Sequence, residues 1–321
     1  MAKLLIIGGS GFFGKSILDA YKRNLLKKWD IKSIDVISRS AENLKKTNPD
    51  LIGGSISLHN LDISSCNSLP MADFIIHAAS STDASRYISR PQEEKLNIIA
   101  SVKNYCDIAK LAHRKSKIIY TSSGAIYGQQ PSAIDRIKEN YNINLSDELV
   151  EHKRDYSVAK RDAENLIQNL GGRGNHVSIA RCFNFIGPYL PLDQHFAFGN
   201  FIKNGIMNQN IIVNARHEVI RAHQYTDDLV NWLMTIAEAA NSSCPIYNVG
   251  SERSIEMRGL AELVAKYFNV GISMNPIDDQ KIDRYVPSTE KARNELGLVN
   301  SVDLEEALDK TAWKIKNTNI Y

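Results

Sequence analysis

Through the first two-thirds of the chain, short apolar runs alternate with longer amphipathic stretches. The short, mostly apolar runs at 4–7, 34–37, 74–77, 117–121 and 177–181 read as buried strands. Between them, the stretches at 14–27, 94–114 and 156–170 carry their apolar residues at helical spacing. Strand and helix in alternation predict an α/β fold, a doubly wound parallel sheet covered on both faces. Beyond Gly187-Pro188 the pattern turns irregular. Helices are expected at 227–240 and 257–268, with one more strand at 246–249, so a smaller, discontinuous second domain follows the first.

Composition narrows the classes. The 321 residues are 43% hydrophobic and 23% charged, ordinary for a globular protein with ample length for a large core. The 39 basic and 36 acidic residues leave a net charge of +3, too small for a general electrostatic nucleic-acid binder. Cys66, Cys106, Cys182 and Cys244 are widely spaced, without a C-x-x-C pair. That argues against a zinc ribbon or a disulfide scaffold and fits a reducing cytoplasm. The histidines have no metal-ligand spacing, so no metal is expected. His77 reads as structural, and His217 and His223 as solvated loop residues. The apolar run at 4–7 is too short for a signal segment, and no stretch reads as a membrane span.

Gly8, Gly11 and Gly14 stand directly after the first strand and open the first helix. The turn needs a residue without Cβ, a diphosphate must approach the backbone, and the helix N-terminus offers free N–H groups to an anion. A glycine-rich turn without a ligand is the competing reading; the strand–turn–helix context favours a Rossmann-like dinucleotide site. Phe12 and Phe13 belong to the same loop. If the second strand ends at Ile37, Ser38 holds the position that usually carries an acid for the ribose hydroxyls, with Arg39 next to it. An arginine and hydroxyls suit a 2′-phosphate, so NADP(H) is the expected cofactor, with NAD(H) possible if Asp35 ends the strand instead. Asp62-Ile63 could hold an adenine amine.

The fourth strand runs into Thr121-Ser122-Ser123, where strand ends face the ligand crevice of an open parallel sheet. Tyr156 and Lys160 are four residues apart on a helix and share a face. A nearby ammonium stabilises a phenolate and is expected to lower the tyrosine pKa. A serine hydroxyl could hold the substrate oxygen. The three make a proton donor and acceptor for a carbonyl–alcohol pair. A Tyr/Lys pair alone is common on helices; the glycine loop and the serine give it weight.

Taken together, the motifs resemble the extended short-chain dehydrogenase/reductase family, in its nucleotide-sugar epimerase/dehydratase branch. The resemblance spans nearly the whole chain. It rests on Gly8/Gly11/Gly14, Ile76-His77-Ala78-Ala79, Asn97, Ser122-Ser123-Gly124-Ala125-Ile126-Tyr127-Gly128, and Tyr156 with Lys160. Further matches are Arg181-Cys182-Phe183-Asn184-Phe185-Ile186-Gly187-Pro188, Arg221-Ala222-His223-Gln224-Tyr225-Thr226-Asp227-Asp228, and Tyr285-Val286-Pro287-Ser288-Thr289-Glu290-Lys291-Ala292.

The resemblance implies a dinucleotide-binding domain at 1–183 and 222–250, and a nucleotide-sugar-binding domain at 184–221 and 251–321. It implies that Ser123 and Tyr156 flank the reacting carbonyl and that Lys160 also binds the nicotinamide ribose. Ala78 and Ala79 would pass close to the cofactor, and Asn97 would support that site. Asn184 would contact the nucleotide-sugar and Arg221 its diphosphate, with Asn200 and Arg284 as weaker contacts. A homodimer through the helices at 94–114 and 156–170 is also implied. Related 4,6-dehydratases carry Asp-Glu after the catalytic hydroxyl residue, and GDP-sugar epimerase-reductases a cysteine two residues after the serine. Here Gly124-Ala125 stand there, which disfavours both reactions. A 4-keto-6-deoxy nucleotide-sugar reductase is expected, with a C4 epimerase retaining NAD as the alternative. A non-catalytic dinucleotide-binding scaffold is the alternative of another class.

Overall fold

The computed structural model describes residues 1–80, 84–142, 149–192, 194 and 196–318; the last residues of the expected second domain, 319–321, lie outside them. In chain order the elements are β1 (Ala2–Ile7), α1 (Phe12–Lys22), β2 (Ile31–Ser38), α2 (Leu44–Thr47), β3 (Ile56–Asn60), β4 (Phe74–His77), α3 (Ala84–Ser89), α4 (Pro91–Ala112), β5 (Lys117–Ser123), α5 (Glu151–Gly171), β6 (His176–Cys182) and β7 (Asn184–Ile186). They continue as α6 (Ala197–Ile206), β8 (Ile211–Val213), β9 (Glu218–Tyr225), α7 (Thr226–Glu238), β10 (Ile246–Val249), β11 (Ser254–Glu256), α8 (Met257–Phe268), β12 (Ile272–Met274), β13 (Ile282–Tyr285), α9 (Glu290–Leu296) and α10 (Leu304–Asn317).

The main sheet has seven parallel strands in the order β10-β6-β5-β4-β1-β2-β3. The order reverses between β1 and β4, which opens the crevice where doubly wound sheets take their ligands. Pleating sends Leu4 and Ile6 into one core with α1 and α7, and Leu5 and Ile7 into another with α4 and α5. Burial on both faces is why these strands read as mostly apolar runs.

The second unit is built around β9, which pairs with β11, β13 and β7. The expected domain boundary at 221/222 therefore falls inside one strand: a sheet this small needs all of β9 to join its other members. Its own core gathers α6, α8 and α10 around Ile211, Val213 and Tyr225.

One buried cluster locks α5 to the sheet. Arg181 on β6 donates to Glu164 on α5, with Nη2–Oε2 at 2.9 Å and side chains 7% and 2% exposed. The same guanidinium donates to the Tyr127 hydroxyl at 2.8 Å and the Glu139 carbonyl at 3.0 Å. Removing one member of a buried charge pair strands the other. Glu164→Leu is accordingly expected to lower the unfolding free energy by about 3–5 kcal/mol in urea titration, and Arg181→Met combined with it to recover part of that loss.

Candidate active site

The glycine loop is tight by necessity. Gly8 sits at φ +92°, and a Cβ there would lie 2.7 Å from the Ala78 carbonyl carbon and the Ala79 nitrogen. At Gly14 a Cβ would lie 2.2 Å from the Gly9 oxygen. Gly11 caps helix α1 without a side-chain hydrogen bond, its own N–H donating to the Gly8 carbonyl at 3.1 Å, and the first turn carries no acid, so the positive end of the helix is left for an anion. These residues fit a dinucleotide diphosphate. Phe12 and Phe13 begin α1, and Phe13 packs edge-on against Phe185 at 5.3 Å.

Strand β2 runs one residue beyond the expected end at Ile37, to Ser38, whose hydroxyl pairs with that of Ser10 in the glycine loop at 2.7 Å. Asp35 lies inside the strand, buried against Lys3 at 2.5 Å and His59 at 2.7 Å. Arg39 is exposed and forms no hydrogen bond or ion pair with the described residues. Asp62 accepts from the Ser64 amide and hydroxyl, which with its own desolvation opposed leaves its pKa below the usual carboxylate value. Ile63 is buried beside it. Asn97 is exposed on α4.

Strand β5 carries Ser123 to the crevice, and α5 lays Tyr156 and Lys160 beside it. Lys160 is buried; its Nζ donates to the Thr121 carbonyl at 3.2 Å and lies 5.1 Å from the Tyr120 ring centroid and 5.8 Å from that of Tyr156. Desolvation pulls its pKa down to about 8. The tyrosine departs from the expectation of a lowered pKa: desolvation pushes the Tyr156 phenol up to about 12, and a hydrogen bond with Ser123 only partly opposes it. Burial wins because the ammonium is turned toward Thr121. The phenol is thus a fully protonated acid at neutral pH.

Ser123 Oγ also accepts from the Ala125 amide at 3.1 Å and stands 3.5 Å from the hydroxyl of Tyr285, a neighbour the motif reading left without a role. Phe183 covers Gly124 so closely that a Cβ there would lie 2.6 Å from the ring. Tyr87 packs edge-on against Tyr156 at 5.1 Å. Asn184 holds its Nδ2 buried and without a partner, as a ligand-facing amide would be.

The other expected contacts Arg221, Arg284 and Asn200 each have partners within the protein. Arg221 is engaged by Asp283, with Nη2–Oδ2 at 2.9 Å and Nη1 donating to the Asp283 carbonyl at 2.6 Å. Arg284 leaves β13 on the opposite face, donating to the Ser132 carbonyl at 3.2 Å and pairing with Asp135. It lines a cavity of about 610 Å³ with Arg136, Ile220 and Ser254. Asn200 donates to the Gln194 carbonyl at 2.9 Å. His77 is sealed between Tyr105 and Tyr120, and burial draws its pKa down to about 3, so it is a neutral structural ring. His223 is not a solvated loop residue: it lies in β9 against Phe198, and burial draws its pKa down to about 3, because the irregular segment before it pairs into the second sheet. All four cysteines are free.

Residues 4–250 match the NAD dependent epimerase/dehydratase family, and the chain belongs to it. It is 29% identical over 311 residues to UDP-glucuronic acid decarboxylase 3 of Arabidopsis thaliana, covering 95% of this chain and 86% of that protein. Among solved structures it resembles a UDP-glucose 4-epimerase from Thermotoga maritima, at 17% identity, TM-score 0.79 and 99% coverage of both chains. It also resembles the dTDP-glucose 4,6-dehydratase DesIV of Streptomyces venezuelae with NAD bound, at 18% identity, TM-score 0.79, and 99% and 98% coverage. Among the described residues, no helix is long and apolar enough to cross a membrane.

Burying a charged lysine costs stability. With a folded pKa near 8 against 10.5 for the free side chain, the penalty is in full force below pH 8 and is relieved as pH rises through 8 to 10.5. Lys160→Met is expected to unfold with about 2 kcal/mol more free energy than wild type at pH 7, after allowing for the lost Thr121 bond. Denaturant titrations at pH 7 and pH 10.5 should show that gain shrinking at the higher pH.

Proposed function

We propose that the protein is a nucleotide-sugar oxidoreductase acting on a C4 carbonyl–alcohol pair, specifically a reductase of 4-keto-6-deoxy nucleotide-sugars. The observation carrying this reading is the chemistry beside Ser123. Gly124 and Ala125 offer no proton, and the Phe183 ring occupies the space that a side chain at 124 would need. Among the described residues, the proton-exchanging groups around Ser123 are its own hydroxyl, the phenols of Tyr156 and Tyr285 and the Lys160 ammonium, which suit a carbonyl and an alcohol better than the elimination of water. The rings of Phe183 and Tyr285, 4.6 Å apart, make an apolar flank that suits a methyl substituent better than a carboxylate.

Ser123 holds the substrate oxygen, and Tyr156 delivers its proton to it. The Lys160 charge favours the phenolate that results. A bound nicotinamide cofactor supplies the hydride. Ser38 and the unpaired Arg39 at the end of β2 support NADP(H) over NAD(H), because a guanidinium can pair with a 2′-phosphate where an acid would repel it. The exposed Leu96 and Leu111 on α4 support a homodimer through α4 and α5; a monomer by sedimentation would remove the dimer.

The test is turnover of 4-keto-6-deoxy nucleotide-sugars, nucleotide-hexoses and UDP-glucuronic acid with each cofactor. Net oxidation of NADPH by the keto-sugars is expected. Product from a nucleotide-hexose without net redox change would replace the reading with an epimerase, and release of carbon dioxide from UDP-glucuronic acid with a decarboxylase. Tyr156→Phe is expected to lose about 10²–10⁴-fold in turnover while still binding cofactor. Arg39→Ala should narrow the preference for NADPH; an unchanged ratio takes Arg39 out of the site.

A further inference from the structure

We propose that Tyr285 is a positioning residue for Ser123, holding the serine hydroxyl so that its own proton points at the substrate oxygen. The inference rests on the carbonyl–alcohol reading above.

Tyr285 ends β13 and pairs in register with Arg221, while its neighbour Arg284 pairs with Ile220. Side chains alternate across a strand, so Tyr285 and Arg284 leave the sheet on opposite faces. Arg284 reaches the loop at 132–135, and Tyr285 reaches Ser123, 162 residues away in the other sheet. Its position is fixed on several sides. The ring lies on Phe183 with centroids 4.6 Å apart and planes at 34°, and the hydroxyl is 3.5 Å from the Cys182 carbonyl. The next amide, of Val286, donates to Gln130 Oε1 at 2.9 Å.

The serine oxygen has two lone pairs and one proton. The Ala125 amide fills one lone pair from 3.1 Å. The Tyr285 hydroxyl has one proton, which can point either at the Cys182 carbonyl or at the second serine lone pair, each 3.5 Å away. When it turns to the serine, both lone pairs are engaged, Ser123 has only its proton to offer, and the directions left for that proton are Tyr156 and the substrate oxygen. A separation of 3.5 Å is long for a hydrogen bond, and contacts of this kind commonly tighten when substrate fills a site. Without the phenol, the serine hydroxyl is free to rotate and presents a lone pair to the carbonyl as readily as its proton.

Tyr285→Phe keeps the ring on Phe183 and removes only the hydroxyl. In NADPH-dependent reduction of a 4-keto-6-deoxy nucleotide-sugar, it is expected to lower kcat by about tenfold. KM, cofactor affinity by fluorescence titration and the melting temperature should stay close to wild type. Ser123→Ala should lose more, and the double variant should be no slower than Ser123→Ala alone, because Tyr285 acts through that hydroxyl. Wild-type kcat in Tyr285→Phe, or losses that multiply in the double variant, would overturn the inference while the impaired Ser123→Ala leaves the parent reading standing. A fall in melting temperature and cofactor affinity along with kcat would overturn it in favour of a structural role. Full turnover in Ser123→Ala would overturn both.

Discussion

The burial of a single arginine organises this molecule. Arg181 cannot lie inside the protein without partners for its charge and its donors, and those it finds belong to three separate segments: Glu164 on α5, the Tyr127 hydroxyl in the turn after β5, and the Glu139 carbonyl. Tyr127 passes the network on to Asn248 at the end of β10, and Asn248 donates to the carbonyls of Ile137 and Ser288. The helix carrying Tyr156 and Lys160, the turn following Ser123 and the chain following Tyr285 are thus tied to one buried polar cluster. Each link is expensive to leave unmade, so the parts of the site keep a common frame although they come from different sheets.

The same economy explains what was readable in the chain. The runs at 74–77 and 246–249 coincide with β4 and β10, because strands of a covered sheet are largely apolar, although His77 and Asn248 are buried polar members of them. Helix α5 begins at Glu151 rather than 156: its first turn, Glu151-His152-Lys153-Arg154, is polar and carries no periodic signal. Helix α1 stops at Lys22 rather than 27, where Arg23 caps it and Asn24 adopts φ +61°. The second sheet was illegible for a different reason. β7 and β11 are three residues each, too short to show a period, and each is held by pairing with β9.

In the site, spacing along α5 was enough to bring Tyr156 and Lys160 together, and the end of β5 to bring Ser123. What spacing could not convey was the dielectric. Placing an ammonium near a phenol suggests a lowered pKa, but Lys160 is buried and Tyr156 partly so, and desolvation pushes each toward its neutral form. Tyr285 was visible only as a letter in a motif. Its meeting with Ser123 depends on which face of β13 it leaves, and so on the pairing of β13 with β9, a purely tertiary fact.

The contact between Gly124 and Phe183 also restricts where this chain can go by mutation. An acid at 124 would collide with the ring, so the first step toward one must be a smaller residue at 183. That step removes the surface on which Tyr285 leans, weakening the present site before another is complete. An intermediate between two catalysts is then poorer than either, and the path from one chemistry to the other runs through a valley. The ring that excludes a side chain from the crevice therefore also acts as a ratchet on the history of the protein.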